Sequence, residues 1–187
     1  MIAHAGGQFY LKSQMRISAM ADQIPSVEIK WGKKDEVKFL VKAAKLRDAG
    51  DILNKREEWG RFEGHIEYAI KKTPAKIVTE VTLKPSYIIS MPEWTGYDEA
   101  KDKCKEAWNK MYHKLVDHEE GHREVHEATL KKMEKYVEDA KNLKEKDLDA
   151  EFKKLLTEMK VNQKKFDTAT GNGSKKGVEL DILKECE

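Results

Sequence analysis

The sequence predicts an α+β domain, a small antiparallel sheet packed on one long helix with a second helix returning beside it. Three observations predict it. From Arg61 to Pro92 apolar and polar residues alternate, with many aromatic and β-branched side chains. From Tyr97 to Asn142 apolar residues recur three and four apart without a break. After the polar stretch 142–147 the same spacing resumes at Leu148 and runs to Phe166.

Residues 1–25 are weakly patterned and read as an N-terminal arm, leaving 26–187 as a single domain. The run 33–60 reads as helical, with Val37, Leu40, Ala44 and Leu46 near helical spacing and Gly50 interrupting or ending its first part. Three strands follow, at 61–72, 75–84 and 86–92. Thr73-Pro74 and Pro85-Ser86 are the expected links, because proline cannot donate to a strand ladder. The long helix carries Cys104, Trp108, Met111, Leu115, His118, His122, Val125, Thr129, Met133, Tyr136 and Ala140 on one stripe. The run 178–183 reads as a strand or a short tail.

Composition narrows the function classes. Lys+Arg at 36 against Asp+Glu at 34 leaves a net charge of +2. Lysines interleaved with glutamates form solvated helix faces, so no nucleic-acid partner is expected. No apolar run approaches the length of a membrane span, roughly 20 residues. The N-terminus lacks a basic start followed by a continuous apolar stretch, so no signal peptide is expected, which leaves two alternatives, a cytoplasmic protein or a chain that begins after a removed leader. Cys104 and Cys186 form no CxxC pair; whether they join in a disulfide is open at this stage.

The chemistry sits in DHEEGHREVH, residues 117–126. His118 and His122 stand one helical turn apart, about 6 Å along the axis, so two imidazoles can meet one Zn²⁺. Glu119 follows the first histidine and can take a proton from a water activated there, making it the candidate general base. Two readings are open: a zinc site, or core histidines hydrogen-bonded to neighbouring carboxylates. The histidines fall on the stripe that should face the core, which favours zinc. His126 lies about 12 Å along the axis from His118, too far to share an ion, and reads as a supporting or surface residue.

The third ligand should come from the returning helix. From His122 to Asn142 is about 30 Å of helix, and from Asp147 to Phe166 about 29 Å. An antiparallel return therefore puts Asp167 beside the histidines, either as a ligand or as an ordinary helix-ending residue. A donor to the developing oxyanion is also needed, with His65, Tyr68 and Tyr112 as candidates.

These residues together resemble a bacterial family catalogued as domain of unknown function 922, described as predicted secreted zinc-dependent proteases. The resemblance rests on MPEW (91–94), Trp108, HEEGH (118–122) and FDTATGNG (166–173), in that order from roughly Glu58 to Gly177. It implies a zincin-like metallopeptidase with a protein or peptide substrate, secreted or periplasmic. By zincin analogy the sheet edge near Tyr87 to Met91 would hold an extended peptide. Asn172 departs from the pattern, which usually has histidine there. That departure favours an alternative, a zincin-like binding or scaffold domain without catalysis. A third option is a helical-hairpin interaction protein whose histidines are merely packed.

Overall fold

The computed structural model describes residues 22–182 and Cys186. The arm expected over 1–25 therefore lies outside the described residues except for its last four. Of these, Asp22 and Gln23 reach the far end of the long helix: Lys141 pairs with the Asp22 carboxylate at 2.8 Å, and Asn142 N–H donates to Gln23 O at 2.8 Å.

The elements run β1 (Ser26–Ile29), β2 (Lys34–Val41), α1 (Leu46–Asn54), β3 (Arg61–Lys72), β4 (Val78–Trp94), α2 (Asp102–Glu138) and α3 (Glu145–Thr170). A 3₁₀ turn at Ser174–Lys176 follows. The α+β class holds, with two corrections inside it.

The first concerns 33–60. Its N-terminal part is strand β2, and only Leu46–Asn54 is helical. A short stretch such as KDEVKFLV is compatible with either period. Parallel pairing along β4, from Lys34↔Tyr87 to Val41↔Trp94, decides it as strand and turns Phe39 and Val41 inward. Gly50 does not end the helix but sits buried inside it, against Leu180 and Ile182 of the C-terminal tail. That tail, 178–182, forms no strand.

The second concerns the sheet, which is mixed rather than antiparallel. The two strands expected at 75–84 and 86–92 are one strand, β4, which forms its centre. β1 and β2 lie end to end, parallel, along one edge of β4, and β3 pairs antiparallel along the other. Two prolines inside a central strand are tolerated for a local reason. Leu83 O, Pro85 O and Tyr87 N bond to Lys30, Gly32 and Lys33, so odd-numbered groups of β4 face β1 and β2. The N–H missing at Pro85 thus falls at the junction between those strands. By the same alternation Pro92 faces the other edge, beyond Ser90, where β3 has already ended.

α2 lies across the sheet with most of the expected stripe inward, Val125 and Tyr136 being only half-buried and Ala140 lying past its end, and α3 returns along it. Cys104, Trp108, Met111 and Leu115 join α1, Met91 and Trp94 in one buried cluster. Leu130, Met133 and Val137 join Val81, Leu83, Leu148 and Phe152 in another. The histidines lie between the two. Cys104 and Cys186 are joined by a disulfide that ties the C-terminal tail to the start of α2. No described helix is long and apolar enough to cross a membrane.

Candidate metal centre

Three side chains converge where α2 and α3 cross the open edge of β3. His118 and His122 come from one face of α2, and Asp167 from the last turn of α3. The ligand atoms of all three lie within 4.8 Å of one another. Asp167 Oδ1 is 3.5 Å from His118 Nε2 and 2.9 Å from His122 Nε2. Two ligands bound at 2.0–2.1 Å to a tetrahedral ion stand about 3.3–3.4 Å apart, so these separations bracket that edge. The helix hairpin thus has the length expected of it.

Packing fixes the two rings. Phe166, beside Asp167, stacks on His118 at 5.1 Å between centroids and meets His122 edge-on at 4.9 Å. It comes so close to α2 that any Cβ at position 121 would overlap its ring, which accounts for Gly121. Phe62 covers His122 from the sheet side. Burial, with His122 beside it, holds the His118 imidazole below its ordinary range, so at neutral pH it is the uncharged form that can ligate a metal. The donor set is then a neutral imidazole, a second imidazole and a carboxylate, a combination suited to zinc.

Glu119 is 3% exposed, on the β3 side of the histidines. Burial pushes its carboxyl up to about 8, reinforced by the charges of Glu58 and Asp167 and opposed by the Phe62 N–H that donates to it. A Cβ at Gly60 would stand 2.8 Å from Glu119 Oε1, so the glycine leaves room for the carboxylate. A cavity of about 900 Å³ opens over these groups, between the β3 edge (Gly60 to His65) and Lys160, Gln163 and Lys164 of α3.

A bacterial protein family of unknown function, DUF922, matches residues 41–174. The chain belongs to this family. No curated protein and no solved structure matches it. The DUF922 span holds His118, Glu119, His122, Asp167 and Asn172, whereas β1 and Cys186 lie outside it.

The remaining sequence expectations divide. His126 is neither a ligand nor a surface residue: it is fully buried, with Nε2 at 3.1 Å from His65 O. Tyr68 donates to Asp149 at 2.7 Å and Tyr112 to Glu36 at 3.3 Å, and neither lines the cavity. Of the three oxyanion candidates only His65 reaches it. The stretch Tyr87–Met91 is no sheet edge, since β2 pairs along all of it and β3 along Tyr87–Ser90. Asn172 lines the cavity.

Two residues of the site escaped the sequence reading. Glu58 carries only a charge in an irregular segment, with no pattern to mark it. Gln163 makes two hydrogen bonds to His122. It stands one turn before Asp167, so the i, i+4 spacing that marked His118 and His122 also marks it once Asp167 is accepted.

Proposed function

We propose that the chain is a zinc-dependent metallopeptidase in which His118, His122 and Asp167 hold the ion and Glu119 is the general base. The observation that carries this reading is the convergence of the three ligand atoms beside a buried carboxylate on the same helix. When bound, Zn²⁺ supplies a Lewis acid that acidifies water and polarises a carbonyl. Glu119 takes the proton of the attacking water and returns it to the leaving amine. Glu119 takes a proton only as the carboxylate, the form that a dication beside it favours.

Among the described residues β3 has no strand partner on its outer edge, which supports an extended peptide as substrate. Arg61, Glu63 and His65 direct their backbone groups to β4, opposite Ser90, Ile88 and Ser86. By alternation Phe62 and Gly64 direct theirs outward, over the cavity. Glu119 takes the Phe62 N–H, which leaves Phe62 C=O and both groups of Gly64 for a substrate backbone added antiparallel. The Cys104–Cys186 disulfide supports an oxidising compartment, secreted or periplasmic.

The test is zinc content by elemental mass spectrometry together with cleavage of an unfolded protein. About one zinc per chain is expected, with cleavage lost on chelation and restored by zinc. Glu119→Gln should bind zinc and not cleave. A Glu119→Gln variant as active as the parent sinks the mechanism. Zinc binding without cleavage in the parent replaces it with the scaffold reading.

A further inference from the structure

We propose that Gln163 is the positioning residue of the metal site, fixing His122 as the Nδ1–H tautomer and so aiming its Nε2 lone pair at the ion. This role rests on the reading of His122 as a ligand. The backbone carbonyl of His122 only accepts, and the Gln163 amide nitrogen donates to it at 2.9 Å. The other end of that amide is therefore its carbonyl, which also only accepts. That oxygen, Oε1, stands 2.5 Å from His122 Nδ1. Nδ1 must then carry the proton.

The consequence falls on the other side of the ring. With the proton on Nδ1, the neutral imidazole presents a bare lone pair at Nε2. Nε2 faces Asp167 Oδ1 at 2.9 Å, and a carboxylate oxygen is also an acceptor. Two lone pairs at that distance repel unless a proton or a metal ion lies between them. Gln163 thus makes the metal-ready form the one the fold prefers. Without it, His122 relieves the repulsion by moving its proton to Nε2 and donating to Asp167, which closes the site.

His118 has no comparable support. Its Nδ1 is buried and has no hydrogen-bond partner among the described residues. Control of tautomer in this site therefore passes through Gln163. The topology makes the arrangement economical: Gln163 and Asp167 are one turn apart on α3 and face His118 and His122, one turn apart on α2. The same register between the helices delivers the third ligand and the lock.

The experiment compares the full chain with Gln163→Met, which keeps the length of the side chain, and Gln163→Glu, which keeps an acceptor toward Nδ1. Zinc affinity is measured by competition with a chromogenic chelator. The His122 tautomer of the metal-free proteins is read from ¹⁵N imidazole shifts. Gln163→Met is expected to bind zinc about 10–100-fold more weakly, the usual cost of losing a hydrogen bond behind a ligating histidine. Its His122 should move toward the Nε2–H form, and Gln163→Glu should stay Nδ1–H. Chelator-saturated melting curves of both variants confirm folding. Unchanged affinity and tautomer in a folded Gln163→Met, with the parent binding zinc, overturn the role and leave the metal site standing. A parent chain that binds no zinc overturns the metal reading itself, and this role with it.

Discussion

Glu119 offers a test that needs neither zinc nor substrate. In the folded, metal-free chain its carboxyl is pushed up to about 8, against an ordinary value of 4.5. The sign follows from proton binding. Between those values the unfolded chain has released the proton and the folded chain keeps it. Stability from this group is therefore fully present below pH 4.5 and is lost as pH rises toward 8. Each pH unit in that window costs about 1.4 kcal/mol, which gives about 3 kcal/mol by pH 7 and about 5 above pH 8. Glu119→Gln has no proton to lose, and its Oε1 can still accept the Phe62 N–H. The metal-free variant should match the parent near pH 4.5 and exceed it by about 3 kcal/mol at pH 7. At about 2 kcal/mol per M, that moves the urea midpoint up by about 1.5 M. The assay is urea unfolding with excess chelator at pH 4.5, 7 and 8.5. Saturating zinc should narrow the gap, because a dication beside Glu119 favours its charged form. Parallel curves for parent and variant across this range would refute the claim that Glu119 is held protonated by burial.

The other perturbations separate packing from ligation. His126→Ala empties a fully buried site; it should cost about 2–4 kcal/mol in urea unfolding while zinc content stays at one per chain. Gly121→Ala gains up to about 1 kcal/mol in helix propensity but drives a methyl into Phe166, for a net loss of about 1–2 kcal/mol and weaker zinc binding. Replacing both Cys104 and Cys186 by serine opens a closure of 82 residues and should lower stability by about 2–5 kcal/mol, read as a lower midpoint with zinc content unchanged.

The helices were legible because long periodic stretches leave little choice. The stripe from Cys104 to Met133 and the return from Leu148 were enough to place Asp167 beside the histidines, since helix rise converts residue counts into distance. The sheet was less so. Pro85 and Pro92 read as strand ends, and only the arrangement of β1, β2 and β3 around β4 shows that neither proline's missing donor is needed. That is a property of partners distant in sequence. β2 reads as helix for a related reason, because eight residues satisfy either period until a neighbour selects one. The burial of His126 belongs to the same class: it depends on Gly64 and Phe62 of β3, which a helical wheel does not contain.

Asn172, where the resemblance implies histidine, can be weighed by what its backbone does. It adopts φ 51°, a left-handed conformation that asparagine and histidine tolerate better than most residues. Its N–H donates to Asp167 O at 2.8 Å while Gly171 N–H donates to Thr168 O at 3.4 Å, the paired bonds of a Schellman cap. The position therefore holds the end of α3, and with it Asp167, through the main chain. Asparagine meets that requirement as well as histidine does. What it lacks is only what an imidazole would add over the cavity. Asn172→Gly should accordingly keep zinc affinity, while Asn172→Val, strained by about 1–2 kcal/mol in that conformation, should weaken it. Asn172→His separates the two functional readings: a parent that already cleaves should change little, whereas a zinc-loaded but silent parent that gains cleavage would show that this single side chain divides a scaffold from an enzyme.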